Sequence, residues 1–203
     1  MDQPEDAVSQ NEEPAYAFKS SLLGAPWEFR LGADRLLWAV GRRQGSVPYT
    51  DIRRLRLAFR PATMQSYRFT AEIWSTQAPK LTIASTSWRG LAEQERLDRP
   101  YRDFVLALHA RIRAAGGNPV LEAGANPLLY WPGLLVFAGI AVAVLALAWR
   151  AVQESFLTAL LFLAAALGLL FWQVGGIFRR NWPRRYTLAE IPDLVLPKSK
   201  TGG

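Results

Sequence analysis

Two periodicities divide the chain. From Trp27 to about Ser87, apolar and polar residues alternate in short runs separated by turn residues, the two-residue period of half-buried strands. Trp27-Glu-Phe-Arg-Leu31 alternates, Gly32-Ala-Asp34 interrupts, and Arg35–Val40 resumes before Gly41-Arg-Arg-Gln-Gly45, so a hairpin is predicted here. Val47–Phe59, Ser66–Trp74 and Lys80–Ala84 bring the set to at least five strands, expected to be antiparallel. Within Ser66–Trp74, Tyr67, Phe69, Ala71 and Ile73 share one face, and Arg68, Thr70, Glu72 and Trp74 the other. After Asp98-Arg-Pro100 the period changes to that of a helix. Tyr101, Phe104, Val105, Leu108 and Ile112 recur at helical spacing until Gly116-Gly117 stops them, so one face of this helix must pack on a sheet.

The second half loses periodicity because it is apolar on every face. Leu128–Trp149 is 22 residues without a charge and Phe156–Phe178 another 23, with Gln173 the one strongly polar side chain. At ~1.5 Å per residue they reach roughly 33 and 34 Å, the hydrocarbon thickness of a bilayer. The six-residue connector 150–155 requires an antiparallel transmembrane hairpin. Small residues form a stripe on each span, Gly139, Ala143 and Ala146 on the first and Ala164, Gly168 and Gly175 on the second. Such stripes let helices approach closely, within the hairpin or against a partner membrane protein. No ionisable residue lies inside either span, which argues against a proton relay or coupled transport.

Charge supplies an orientation. The chain carries 24 Lys+Arg against 17 Asp+Glu, unevenly: net −4 over residues 1–20, +8 over 21–120 and +4 after Phe178. Arg179, Arg180, Arg184 and Arg185 follow the second span, and Arg111 and Arg113 precede the first, while the connector holds only Arg150, offset by Glu154. Cations stay on the cytoplasmic side, so both termini and the basic domain are expected there, with only a short loop outside. Residues 1–19 are acidic and contain two prolines, which predicts disorder, and they lack the pattern of a secretory signal. Arginines outnumber lysines twenty to four, a bias that often reflects a GC-rich bacterial genome, so the membrane expected for the two spans is a bacterial inner membrane.

The residues needed for most catalytic or metal chemistry are missing. With no cysteine and a single histidine, His109, the chain lacks the ligands of zinc sites and the partners of cysteine or serine triads. No cofactor, no metal and no catalytic group is expected, and the protein is read as a non-enzyme. His109 falls off the apolar stripe of its helix and is expected at the surface or its boundary. Asp51 reads as a turn residue, and Glu93, Glu95 and Asp98 as part of a solvated connector over Leu91–Arg99.

Several antiparallel strands followed by one amphipathic helix resemble the pleckstrin-homology-like (PH-like) superfold, particularly bacterial PH-like domains joined to membrane spans. The resemblance is sharpest at Val47-Pro-Tyr-Thr-Asp-Ile-Arg-Arg-Leu-Arg-Leu57, which looks like the family's third strand, and covers about residues 20–116. It implies a module that binds lipid headgroups, peptides or membrane subunits, and rarely a catalyst. No ligand residue carries over: phosphoinositide-binding members have a basic, extended first hairpin loop, where this chain has Gly32-Ala33-Asp34.

The expected organisation is an acidic N-terminus (1–19), a basic α+β PH-like domain (20–116), a linker (117–127), the transmembrane hairpin (128–178) and a basic cytoplasmic tail (179–203). Arg53, Arg54, Arg56 and Arg60, with Arg179, Arg180, Arg184 and Arg185, are candidate contacts for an anionic bilayer surface or a partner. Leu55, Leu57 and Phe59 should point the other way, into the core. Nucleic acid is not an expected partner, because Trp38, Trp74 and Trp88 are explained by strand packing. Leu188, Ile191, Leu194 and Leu196 are too many apolar residues for a spacer, so the tail is expected to dock on the domain or on a partner protein. The chain thus reads as a membrane-surface interaction or assembly module. The alternative is an accessory subunit of a membrane enzyme or transport complex, held through its hairpin.

Overall fold

The computed structural model describes residues 13–61, 67–90, 93–153 and 157–198. Strands β1 (Ala15–Phe18), β2 (Trp27–Leu31), β3 (Arg35–Val40) and β4 (Arg43–Pro48) form an antiparallel sheet in that order. A 3-10 turn, Tyr49–Asp51, leads to β5 (Ile52–Pro61), β6 (Tyr67–Ser75) and β7 (Leu81–Ala84). A small antiparallel ladder of β8 (Thr86–Trp88) and β9 (Gln94–Arg96) comes before helix α1 (Asp98–Ala114). Strand β10 (Val120–Ala123), the long helices α2 (Pro127–Gln153) and α3 (Leu157–Arg180), strand β11 (Arg184–Arg185) and a 3-10 turn at Asp193–Val195 complete the chain. The second sheet runs β11-β10-β5-β6-β7. All its neighbours are antiparallel except β10, which lies parallel to β5.

The alternation sorts the side chains as the two-residue period requires. Phe29, Leu31, Leu36, Leu55, Leu57, Ala71 and Ile83 are wholly buried between the sheets, and the stripe of α1, Tyr101 to Ile112, closes on them. Gly116, at φ +70°, ends α1 in the left-handed conformation that glycine adopts without strain.

Four expectations change. Tyr16 and Phe18, placed in a disordered N-terminus, are buried on β1, with the Tyr16 hydroxyl donating to the Ala84 carbonyl at 2.6 Å; residues 1–12 lie outside the described ones. The segment Val47–Phe59 is two strands rather than one. It breaks at the 3-10 turn, where the buried Tyr49 donates its hydroxyl to the Gly32 carbonyl (2.9 Å) and Asp51 accepts from the Thr76 hydroxyl (2.6 Å). The solvated connector contains β9, Leu91 and Ala92 lying outside the described residues. The linker contains β10, whose Leu121 and Ala123 are buried beside β5. Four residues with two inward positions are too short a run to show a period, and a parallel neighbour leaves no hairpin signal.

Helices α2 and α3 are long and apolar enough to cross a membrane. Asn126 caps α2, its Oδ1 accepting from the Leu128 N–H at 3.1 Å, with Pro127 at the first helical position, where a missing N–H costs nothing. The pair meets along Tyr130, Phe137, Ala141, Val144, Ala148 and Ala151, at the three-and-four spacing of antiparallel helices, with the Phe137 ring 5.4 Å from Phe171 and 5.5 Å from Phe178. The small-residue stripe is a different face. Gly139, Ala143, Ala146, Ala164 and Gly168 are exposed, and a Cβ added at Gly139, Gly168 or Gly175 would meet nothing within 4 Å. The seam is filled by Phe137, Phe171 and Phe178 together with the alanines Ala141, Ala148 and Ala151, not by the glycine stripe. Residues 154 and 155 of the connector, Phe156 at the start of the second predicted span, and the side chain of Gln173 lie outside the described residues.

The hairpin is an insertion in the domain, not an appendage. Strands β10 and β11, on either side of it, pair with each other, Glu122 against Arg185 and Ala123 against Arg184. Gly124 makes the turn between β10 and α2 at φ +92°, its N–H donating to the Leu57 carbonyl (2.8 Å); a Cβ there would collide with the Trp182 backbone. Asn181, buried just after α3, accepts from the Phe59 N–H through Oδ1 (3.2 Å) and from the Ala125 N–H through its carbonyl (2.9 Å). The tail then returns to the domain. Val195 and Leu196 are buried in the core, with Tyr186, Leu188 and Ile191 against it, and Arg102 of α1 donates to the Pro197 carbonyl at 2.8 Å.

Candidate functional site

On β5, Arg54, Arg56 and Arg60 share the face opposite the buried Leu55, Leu57 and Phe59. Carboxylates on both neighbouring strands meet them. Glu122 of β10 stands opposite Arg56 and accepts from its Nε at 2.9 Å, with Arg54 at 3.9 Å. Glu72 of β6, only 3% exposed, takes Arg60 and Lys80 at 2.8 Å each. Trp74 lies among the same cations, 5.6 Å from the Arg54 guanidinium, 5.4 Å from Arg56 and 5.0 Å from the Lys80 ammonium. Arg53 is exposed, 3.9 Å from Asp51. The strand face is therefore a ladder of alternating charge, with exposed cations at its margins.

The four arginines at and after the end of α3 divide. Arg179 is exposed at the end of α3, while the Arg180 guanidinium lies 4.8 Å from the centre of the Phe59 ring. Arg184 and Arg185 form β11. His109, expected at the surface, is 2% exposed. The tail covers it: His109 Nε2 lies 2.9 Å from the Tyr186 hydroxyl, and its Nδ1 lies 2.7 Å from the Val105 carbonyl. With Nδ1–H donating to the carbonyl, Nε2 accepts the Tyr186 proton, and burial lowers the imidazole pKa below its usual 6.5.

A cleft of about 300 Å³ lies on the same face of the second sheet as Arg54 and Arg56, toward the Arg60–Arg68 end of β5 and β6. Its floor is Arg60, Arg68, Thr70 and Thr82; Lys19, Trp27 and Trp88 form its walls. Among the described residues no carboxylate lines it. Arg60 and Arg68 are direct cross-strand partners, a pairing of like charges that destabilises a sheet unless something lies between them. Arg60 is partly neutralised by Glu72. Arg68 forms no ion pair among the described residues, and its Nε is buried without a hydrogen-bond partner. Sequence reasoning did not place Lys19, Arg68 or Trp27 at a site, and it assigned Trp88 to strand packing. The available signal was the pair of arginines at matching positions before and after the β5–β6 turn, which requires the register to be known. A shallower depression along Arg30, Leu37, Trp38 and Ser46 lies on the first sheet and gathers no comparable charge.

Among the described residues no group of three or more His, Asp or Glu is placed to hold a metal ion. Fold and site together define an α+β domain with two antiparallel-built sheets and a spliced-in pair of long apolar helices. No protein-family model matches this chain, and no curated protein or solved structure matches it.

Proposed function

We propose that the protein is a non-enzymatic component of the bacterial inner membrane whose PH-like domain, held on the cytoplasmic face, serves as an interaction or assembly module. The observation that carries this reading is the insertion of the two long helices between paired strands β10 and β11. A domain joined at both ends of a hairpin is held at the bilayer surface, with Arg54 and Trp74 at the end of the sheet away from the Asn181 junction. The cation distribution supports a cytoplasmic domain and termini. Four antiparallel strands, then three, then a core-covering helix support the PH-like reading of the domain.

The alternative, an accessory subunit recognised through its hairpin, is favoured by the outward small-residue stripe, which is free of intramolecular contacts at its glycines. The two readings separate in one experiment on the full chain in native membranes, with a photoreactive phenylalanine analogue placed at Trp74 or at Ala143. A single stoichiometric protein adduct from position 74 is the expected result. Adducts from position 143 alone would replace the module reading with the subunit reading.

A further inference from the structure

We propose that the cleft over Arg60 and Arg68 binds an oxyanion, a phosphate group carried by a membrane phospholipid or free in solution. Three independent features lead there. First, the register sets Arg60 directly opposite Arg68, where without a counterion their repulsion works against the β5–β6 pairing. Second, Arg68 keeps a buried Nε with no partner, and a charged donor left unsatisfied is costly unless a ligand completes it. Guanidinium geometry suits two parallel bonds to a phosphate or carboxylate oxygen pair. Third, Lys19 adds a cation from a different element, with no ion pair among the described residues, and the Thr70 and Thr82 side chains line the same floor.

The surroundings restrict what arrives. Trp27 and Trp88 give the cleft apolar walls, suited to the uncharged part of a phosphate ester. The neighbouring residue on β5, Phe59, is tied through its N–H to Asn181 at the end of α3, so the cleft floor begins one residue from the span junction. This places it within reach of a headgroup. Glu72, the carboxylate paired with Arg60, also takes Lys80 and makes no ion pair with Arg68. The site does not depend on the module reading, because it needs neither a protein partner nor a particular orientation in the membrane.

The test uses the full chain, purified in a neutral detergent for one arm and in nanodiscs for the other. Inorganic phosphate, against chloride at matched ionic strength, is titrated while thermal unfolding is followed. Separately, lipid retained through detergent extraction is counted by native mass spectrometry from nanodiscs of phosphatidylcholine with or without phosphatidylglycerol. The expected result is a saturable rise in melting temperature with phosphate, or selective retention of phosphatidylglycerol. Response to phosphate identifies a free anion, and response to the lipid alone identifies a headgroup. Arg68→Gln should weaken the response by about tenfold or more, and Lys19→Gln should weaken it less. Arg68→Gln should also melt no lower than the native chain when no anion is present, because it removes the opposed charge. The proposal is overturned if the native chain responds to neither probe, if Arg68→Gln responds as the native chain does, or if Arg43→Gln, on the other sheet, abolishes the response equally.

Discussion

At the scale of single residues, partners outweigh position. The parity of Arg54, Arg56 and Arg60 follows from strand alternation alone, yet their electrostatics are set by Glu122 and Glu72 on neighbouring strands. His109 makes the same point. One place off a stripe of apolar residues is a surface position on an isolated helix, and the tail turns it into a core position. Its neutral tautomer, donating to Val105 and accepting from Tyr186, has a pKa lowered by burial, so the unfolded chain takes up the proton first as pH falls. The contribution of His109 is complete above pH ~7.5 and declines through pH ~6.5 toward its depressed folded value, with a slope of up to about 1.4 kcal/mol per pH unit. Chemical unfolding of the full chain between these pH values checks it: His109→Gln should flatten the slope, and an unchanged slope would assign it to other groups. Tyr49 and Tyr186, whose hydroxyls are raised by burial, Tyr49 to about 12, remain neutral throughout this range.

At the scale of elements, the least conspicuous segments close the structure. The strong periodicities of β2, β3 and α1 are legible because each buries one face, and β6 alternates in sequence although its middle, Phe69 to Ile73, is buried on both faces. β1, β10 and β11 are two to four residues long, and the tail carries its apolar residues at irregular spacing, so neither shows a period. Val195 and Leu196 are nevertheless buried as completely as any residue of the central strands. Burying an aliphatic side chain contributes roughly 1.5–3 kcal/mol, so a stop codon after Arg185 should cost at least about 3 kcal/mol. That is a large part of the total stability of a domain. A lower denaturation midpoint at unchanged secondary-structure content is the expected signature, and an unaltered midpoint would remove the tail from the fold.

At the scale of the whole molecule, the order of segments along the chain differs from their order in space. The long helix pair interrupts a sheet whose two flanking strands touch, and Ala125 and Asn181, at its two ends, are joined by a hydrogen bond of 2.9 Å. Replacing residues 127–180 by a short Gly/Ser loop should therefore yield a soluble domain that melts cooperatively. Residues 1–120 alone lack most of β10, all of β11 and the buried tail, and should aggregate. Size exclusion with thermal circular dichroism compares the two, and the opposite result would mean that the spans stabilise the domain directly. Length and uniform apolarity along the chain determine the two long helices, and alternation determines the strand faces and the α1 stripe, because each is a property of one segment read against solvent. Pairing is different. Glu122 lies 66 positions from Arg56, and Asn181 lies 122 from Phe59. The parallel β10, the outward turn of the glycine stripe, the burial of His109 and the opposition of Arg60 to Arg68 depend on which segments meet, and only the tertiary structure brings them together.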